Sequence, residues 1–436
     1  MRLISAKARI FCVTVAFLIP ASAQTGTWTL PVALSTGGQG WEAAAAIAGN
    51  GTSVAIWDER TSQDHIWSRS KANAGNWGPV TQVSPALETN TAVLPAVRIG
   101  AEGFATAIWS DESGVWTADR PPAAKWNPAQ LLIPGASGPI FVMNSLGDAA
   151  VAWTVGGPTD RDSMVFAVLR PAGGVWTSQQ TIASGGHLSA DHAGIGGDGA
   201  AIVTWESYDA VCVEVCTLSN FVLHASRQDA GSGTWVDSGS LLGPDDDSHD
   251  AQVALDSSGR AMLVGYSSAK GYAASTQGSS GGPWSPFKGA VDPQVITIVS
   301  GLASDAAGNV TMVFETIGLS TSQAFAINAS ITNNVWSPPV VLSGTDASVS
   351  QIYFALAPGG AALAVWLNSG ATPVVHAIVR ATETGTWSIP VTVSGPGSSQ
   401  ISPEAAAVNS AGEAIAIYSG YNAADVHTEY AVNYQP

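Results

Sequence analysis

The segments WSPPVVLSG (336–344), QIYFALAPGGAALAVWL (351–367) and VVHAIVR (374–380) are consecutive pieces of one unit, and the chain repeats that unit from end to end. The first piece opens on Trp336 and carries Pro338 and Pro339. Proline cannot donate to a strand ladder, so this piece belongs at a sheet edge. The second is two apolar runs folded about Pro358-Gly359-Gly360, a turn that glycine serves because it accepts positive φ. The third is one more strand. Four strand-like segments joined by three turns make one small antiparallel sheet.

Equivalent opening tryptophans stand at Trp28, Trp77, Trp126, Trp176, Trp235, Trp284, Trp336 and Trp387. Their spacing of roughly 50 residues is a period of propellers and solenoids. In each copy the first inner segment is rich in Ala and Gly, as strands converging on a narrow channel require. The second is almost wholly apolar, so it must be covered on both faces. It ends on an aromatic: Trp57, Trp109, Trp153, Trp205, Tyr266, Phe314, Trp366 or Tyr418. The chain begins with an edge segment at Trp28 and ends on a third strand, HTEYAVNY from His427, with no edge segment after it. The expected fold is therefore all-β: an eight-bladed β-propeller of four-stranded antiparallel blades, closed by the N-terminal strand joining the last blade, which removes an exposed edge.

An aromatic-opened edge strand followed by a small-residue hairpin with a Gly turn resembles secreted bacterial propeller repeats, and the likeness runs from Trp28 to the end. The turns Asp256-Ser257-Ser258-Gly259 and Asp305-Ala306-Ala307-Gly308 are distantly similar to the Asp box of sialidase-like propellers. They lack its Ser-x-Asp-x-Gly-x-x-Trp order and lie between the first and second strands, so no sialidase chemistry is carried over. Side-chain bonds to the turn backbone account for these aspartates.

Residues 1–23 read as a signal peptide: Arg2, Lys7 and Arg9, an apolar run, then Ala21-Ser22-Ala23. Residues 24–436 form one propeller domain, secreted or periplasmic. No later stretch offers the roughly 20 apolar residues of a spanning helix. The net charge of −17 becomes more negative when the leader's basic residues leave, which disfavours nucleic acid and anionic lipid. A monomer is expected. Cys212 and Cys216 remain after cleavage, and export makes a disulfide the default. Residues four apart in an extended strand lie about 13 Å from each other, so the bridge requires VCVEVC to turn back on itself.

Candidate site residues fall in two rings of loops at one end of the ring. The loops from second to third strand hold Asp58, Glu59, Arg60, Asp111, Glu112, Glu206 and Tyr208, and the longest also holds the Cys pair. The approaches to the innermost strands hold Trp41, Glu42, Asp191, His192, His249, Asp250, Gln351 and Glu404. His192, His249, Glu206 and Tyr208 are the catalytic candidates, since His and carboxylates serve as general acid and base. Asp245, Asp246, Asp247 and Asp250 are the densest anionic run, suited to a hard cation such as calcium. The run lacks the EF-hand order, and no cofactor is required. No nucleophile elbow, zinc motif or phosphate loop is present.

Two functions fit. The first is a binding propeller that presents an acidic face to a carbohydrate or an extracellular protein, with Trp41, Trp67 and Trp116 outside the packing pattern as stacking platforms. The second is an extracellular polysaccharide-degrading enzyme, a lyase or glycoside hydrolase, with its site at the mouth of the channel. Convergence of His192, His249 and Glu206 in one cleft would distinguish the second from the first.

Overall fold

A computed structural model describes residues 26–35, 39–60, 64–85, 92–156, 162–212, 216–243, 248–291, 297–317, 321–346, 348–395, 399–422, 424 and 426–436. These form eight antiparallel sheets in a ring, seven of them of four strands in sequence order from the channel outward and the last completed on its outer edge by the N-terminal segments. Blades 1 to 8 are numbered by their innermost strands: Gln39–Ile47, Val93–Ile99, Ile140–Met143, His187–Ile195, His249–Leu255, Thr297–Ser304, Val349–Leu356 and Ser399–Val408. Closure is as expected. Thr27–Trp28 and Val32–Ala33 both pair with the last strand, His427–Gln435, and supply the outer edge of blade 8.

The second strand of every blade is buried on both faces, as its unbroken apolar sequence requires. Ala105–Asp111 and Ala414–Tyr421 are representative. Trp57, Trp109, Trp366 and Tyr418 are fully buried between blades, and a ring of this size can cover some 150 to 250 Å² of apolar surface. Small residues on the inner strands let neighbours close in: a Cβ on Gly301 would lie 3.0 Å from the Phe354 side chain of the next blade. The outer strands are two residues long in several blades where proline follows the opening tryptophan, although Gln130–Pro134, after Trp126 and Pro128, has five. Thr81–Gln82 and Val391–Thr392 are two residues each, whereas Gln180–Ser184 and Val236–Leu242, whose openers Trp176 and Trp235 lack that proline, are five and seven.

The turns between first and second strands fasten the opposite end of the ring. Asp256 accepts from the amides of Ser258 and Arg260, and Asp305 from those of Ala307 and Asn309. These are the local bonds expected of the two Asp-Gly turns. Asn144 does the same and passes its Nδ2 to Gly196 of blade 4, while Asn409 of blade 8 reaches Ala48 of blade 1. Arginines ending third strands rivet blades together. Arg170 bonds Asp119 at 2.8 Å and Thr106 of blade 2, and Arg380 bonds Asn328 and Thr311 of blade 6.

Candidate functional site

The innermost strands share a defect at their loop end. In blades 1, 2, 5 and 7 the ladder slips at Glu42, Leu94, Asp250 and Gln351, whose φ values are +44°, +56°, +56° and +53°. In blades 4 and 8 it slips at Asp191 and Glu404. A bulge leaves amides without strand partners and re-aims side chains, and here the preceding blade supplies carboxylates to those amides. Glu42 accepts from Leu94 N–H at 2.9 Å, Glu206 from Asp250 N–H at 2.9 Å, and Asp191 from Ala251 N–H. The acidic ring around the channel mouth is thus partly a set of bulge caps.

Between blades 4 and 5 these groups converge. Asp191 and His192 come from the innermost strand of blade 4, Glu206 and Tyr208 from its second strand Ala201–Cys212, and His249 and Asp250 from blade 5. His249 Nδ1 lies 3.0 Å from Asp250 Oδ2, and the Tyr272 hydroxyl donates to the same oxygen at 3.4 Å. Asp250 is 64% exposed, so this carboxylate is open to a ligand. A crevice of about 190 Å³ opens here, lined by Asp191, His192, Asp250, Gln252 and Tyr272.

The carboxyls of the cluster are driven apart in acidity. The hydrogen bond from His249 holds Asp250 below the usual carboxylate range. Burial, with repulsion from Glu206, pushes Asp191 up to about 8. Burial also raises Glu206 to about 7, against the pull of the Asp250 amide and His249. Tyr272 is pushed up to about 12 by burial and the Asp250 charge. His192 stands apart in role: its Nδ1 accepts from Val253 N–H at 3.4 Å, and burial, then the charge of Arg98, holds it down to about 4. It is a neutral wall residue.

Rings form a continuous run along the seam of blades 4 and 5. His187 stacks on Tyr208, Tyr208 lies 5.2 Å from Phe221, Phe221 6.0 Å from His249, and His249 4.8 Å from Tyr266. Phe221 and Tyr272 were not legible as site residues. The segment from Glu206 to Asn220, expected as a loop, is over its described residues 206–212 and 216–220 a two-stranded ribbon extending the hairpin of Ala201–Cys212 and Cys216–Gln228 beyond the blade. Asn220 takes a φ of +57° and bonds Asp209 at 2.7 Å to steady its base. The chain does turn back as a bridge requires, since Cys212 and Cys216 are register partners across it.

The other expected residues are dispersed around the ring. Asp111 is buried and caps the amides of Ser113 and Gly114; Glu112 is exposed beside it. Asp58 is fully buried, Glu59 accepts from Trp57 Nε1 at 3.4 Å, and Arg60 closes its strand. Gln351 accepts from Ser402 and Glu404 from Ser419. The exposed-platform reading of the three extra tryptophans is corrected. Trp41 is half-buried and stacks on His427 at 4.1 Å, while Trp67 and Trp116 pack against core clusters opposite Trp57 and Trp109. Asp245, Asp246, Asp247 and the leader lie outside the described residues. Among the described residues no group of three or more His, Cys, Asp or Glu is arranged to hold a metal, and no helix is long and apolar enough to cross a membrane.

No family model matches the chain, and no curated protein matches it in sequence. Among solved structures it is similar to the polysaccharide lyase Uly1, at 10% identity and a TM-score of 0.51, over 84% of this chain and 99% of that one. A Dyadobacter fermentans protein of unknown function matches at 11% identity and a TM-score of 0.44, over 96% and 100% of the two chains. The BP39L lectin from Burkholderia pseudomallei matches at 12% and 0.49, over 82% and 100%. At these identities the likeness shows the β-propeller fold alone.

Proposed function

We propose that the protein is exported and acts on an extracellular polysaccharide by acid–base chemistry at the crevice between blades 4 and 5. The carrying observation is convergence at the seam of two neighbouring blades: Asp250 meets His249 and the Tyr272 hydroxyl through its carboxylate and Glu206 through its amide, and Asp250 and Tyr272 line the crevice. Neighbouring groups whose acidities are pushed apart are the signature of an acid and a base at work together. With Nδ1 held by Asp250, His249 is oriented to take a proton through Nε2. Glu206 carries a proton near neutrality and gives it to the glycosidic oxygen as the C–O bond breaks. The proton His249 receives comes from the attacking water in hydrolysis, or from the sugar carbon in elimination.

The test incubates the exported chain with a panel of polysaccharides and follows new reducing ends and the ultraviolet absorbance of unsaturated uronate. His249→Ala and Asp250→Asn should each lower the rate by about 10²- to 10⁴-fold while retention on the polysaccharide persists. Product formation unchanged in both variants would sink the assignment. A second reading, binding without cleavage, is supported by Asp191 and Glu206 each holding a bulge amide; retention with no product from the wild type would establish it. A chelator arm tests the proposal that calcium sits at Asp245–Asp247.

A further inference from the structure

The arginines divide by duty, and one has none in the fold. Arg170, Arg227 and Arg380 are buried rivets between blades, and Arg260 pairs with Asp256. Arg98 is different. It stands next to last in the innermost strand of blade 2 and helps line the central channel, a space of about 470 Å³ walled by the inner strands of all eight blades. Among the described residues its polar contact is Nη1 donating to the adjacent Val97 carbonyl at 3.0 Å, and its guanidinium lies 5.9 Å from the Phe141 ring centre. Among the described residues no carboxylate pairs with it. Yet its side chain is solvent-exposed inside the ring.

Arg98 faces the solvent of the channel with no carboxylate beside it among the described residues, although this chain, at −17, has carboxylates to spare. Arg98 stays charged at every physiological pH, and its planar fork matches an oxyanion in two hydrogen bonds. Ala45, Ala46 and Ala101 line the same space, together with larger side chains such as Met143 and Phe354.

We propose that Arg98 is an anion anchor in the channel, and that the ligand is a sugar chain bearing carboxylate or sulfate groups. The anion site stands on the geometry of Arg98. That the anion belongs to a polysaccharide rests on the reading of the crevice above.

The experiment follows the side-chain Nε–H signal of Arg98 by nitrogen-edited NMR, assigned with Arg98→Gln, during titration with galacturonate and with sodium sulfate. A saturable shift is expected with one or both, which also tells carboxylate from sulfate. The same chains are titrated with oligogalacturonate, a sulfated galactan oligosaccharide and an uncharged galactan oligosaccharide. The wild type should bind a charged ligand about tenfold or more tighter than the neutral one, the range a charge-assisted pair supplies. Arg98→Gln should abolish that preference with the thermal midpoint unchanged, and Arg98→Lys should keep part of it. His249→Ala should keep the preference while losing product, so failure of the crevice chemistry and failure of the anchor read out separately. Absence of any saturable shift at Arg98, or a preference that survives in Arg98→Gln, overturns the proposal.

Discussion

At the residue scale, the carboxylates around the mouth do two jobs that a substitution can separate. Glu206 holds the Asp250 amide through Oε1, so Glu206→Gln keeps a carbonyl acceptor for that amide and removes the titrating proton. Under the acid–base reading this variant should retain fold and ligand while turnover falls by about 10²-fold or more. In the wild type, turnover should decline above about pH 7, where Glu206 gives up its proton; a rate independent of pH through that range would exclude it as the acid. Arg170 is the structural counterpart. It is buried while its partner Asp119 is 29% exposed, so the loss on Arg170→Ala is discounted for solvent, to on the order of 2 kcal/mol in denaturant unfolding. These rivets were invisible as such in the sequence. MVFAVLR and VVHAIVR announce strands, but nothing in a single blade reveals that the last residue reaches the neighbouring one.

At the element scale, what the sequence displayed was periodicity, and what it hid was register. Trp28 and the unpartnered final strand predicted the closure that is found. The bulges went unseen because one extra residue in a strand leaves no compositional mark: Leu94 at φ +56° looks like any strand leucine. The ribbon beyond Glu206 was hidden for a related reason, since its polar residues read as loop until paired. Its register sets Cys212 against Cys216, and the expectation is a bridge. Alkylation of the denatured, exported protein should label neither cysteine before reduction and both after it; full labelling without reductant would show free thiols. Removing the ribbon tip, residues 210–218, in favour of an Asn-Gly turn should leave the ring folded, because the tip pairs only with itself. It should weaken polysaccharide retention, because the ribbon stands beside the ring pair Tyr208–Phe221 at its base.

At the scale of the whole molecule, the ring is closed through a junction that carries buried acid. Glu429 of the final strand is fully buried between blades 8 and 1, and neither of its oxygens has a hydrogen-bond partner among the described residues. Burial raises its pKa well above the usual carboxylate value, and the nearby Glu404 and Asp58 carboxylates raise it further. Glu404 is itself raised, by burial first and then by Glu42, against a bond from Ser419. A carboxyl raised in the folded state binds its proton more tightly there than in the unfolded chain. Its contribution to stability is therefore complete below the unfolded value of about 4.3 and is lost as pH rises through the folded value. Asp191 and Glu206, at about 8 and 7, act in the same direction, while Asp250, held low by His249, opposes them only in acid. The thermal midpoint should accordingly fall between pH 5 and about pH 8. Glu429→Gln, which keeps the volume and cannot ionise, should raise the midpoint at the alkaline end and flatten the slope. Deleting residues 24–35 should leave the last strand as an open edge and lower the midpoint at every pH, since the pairs Trp28–Tyr434 and Ala33–Tyr430 are gone. A wild-type midpoint that climbs from pH 5 to 8 would show that the junction is not where the protons are held.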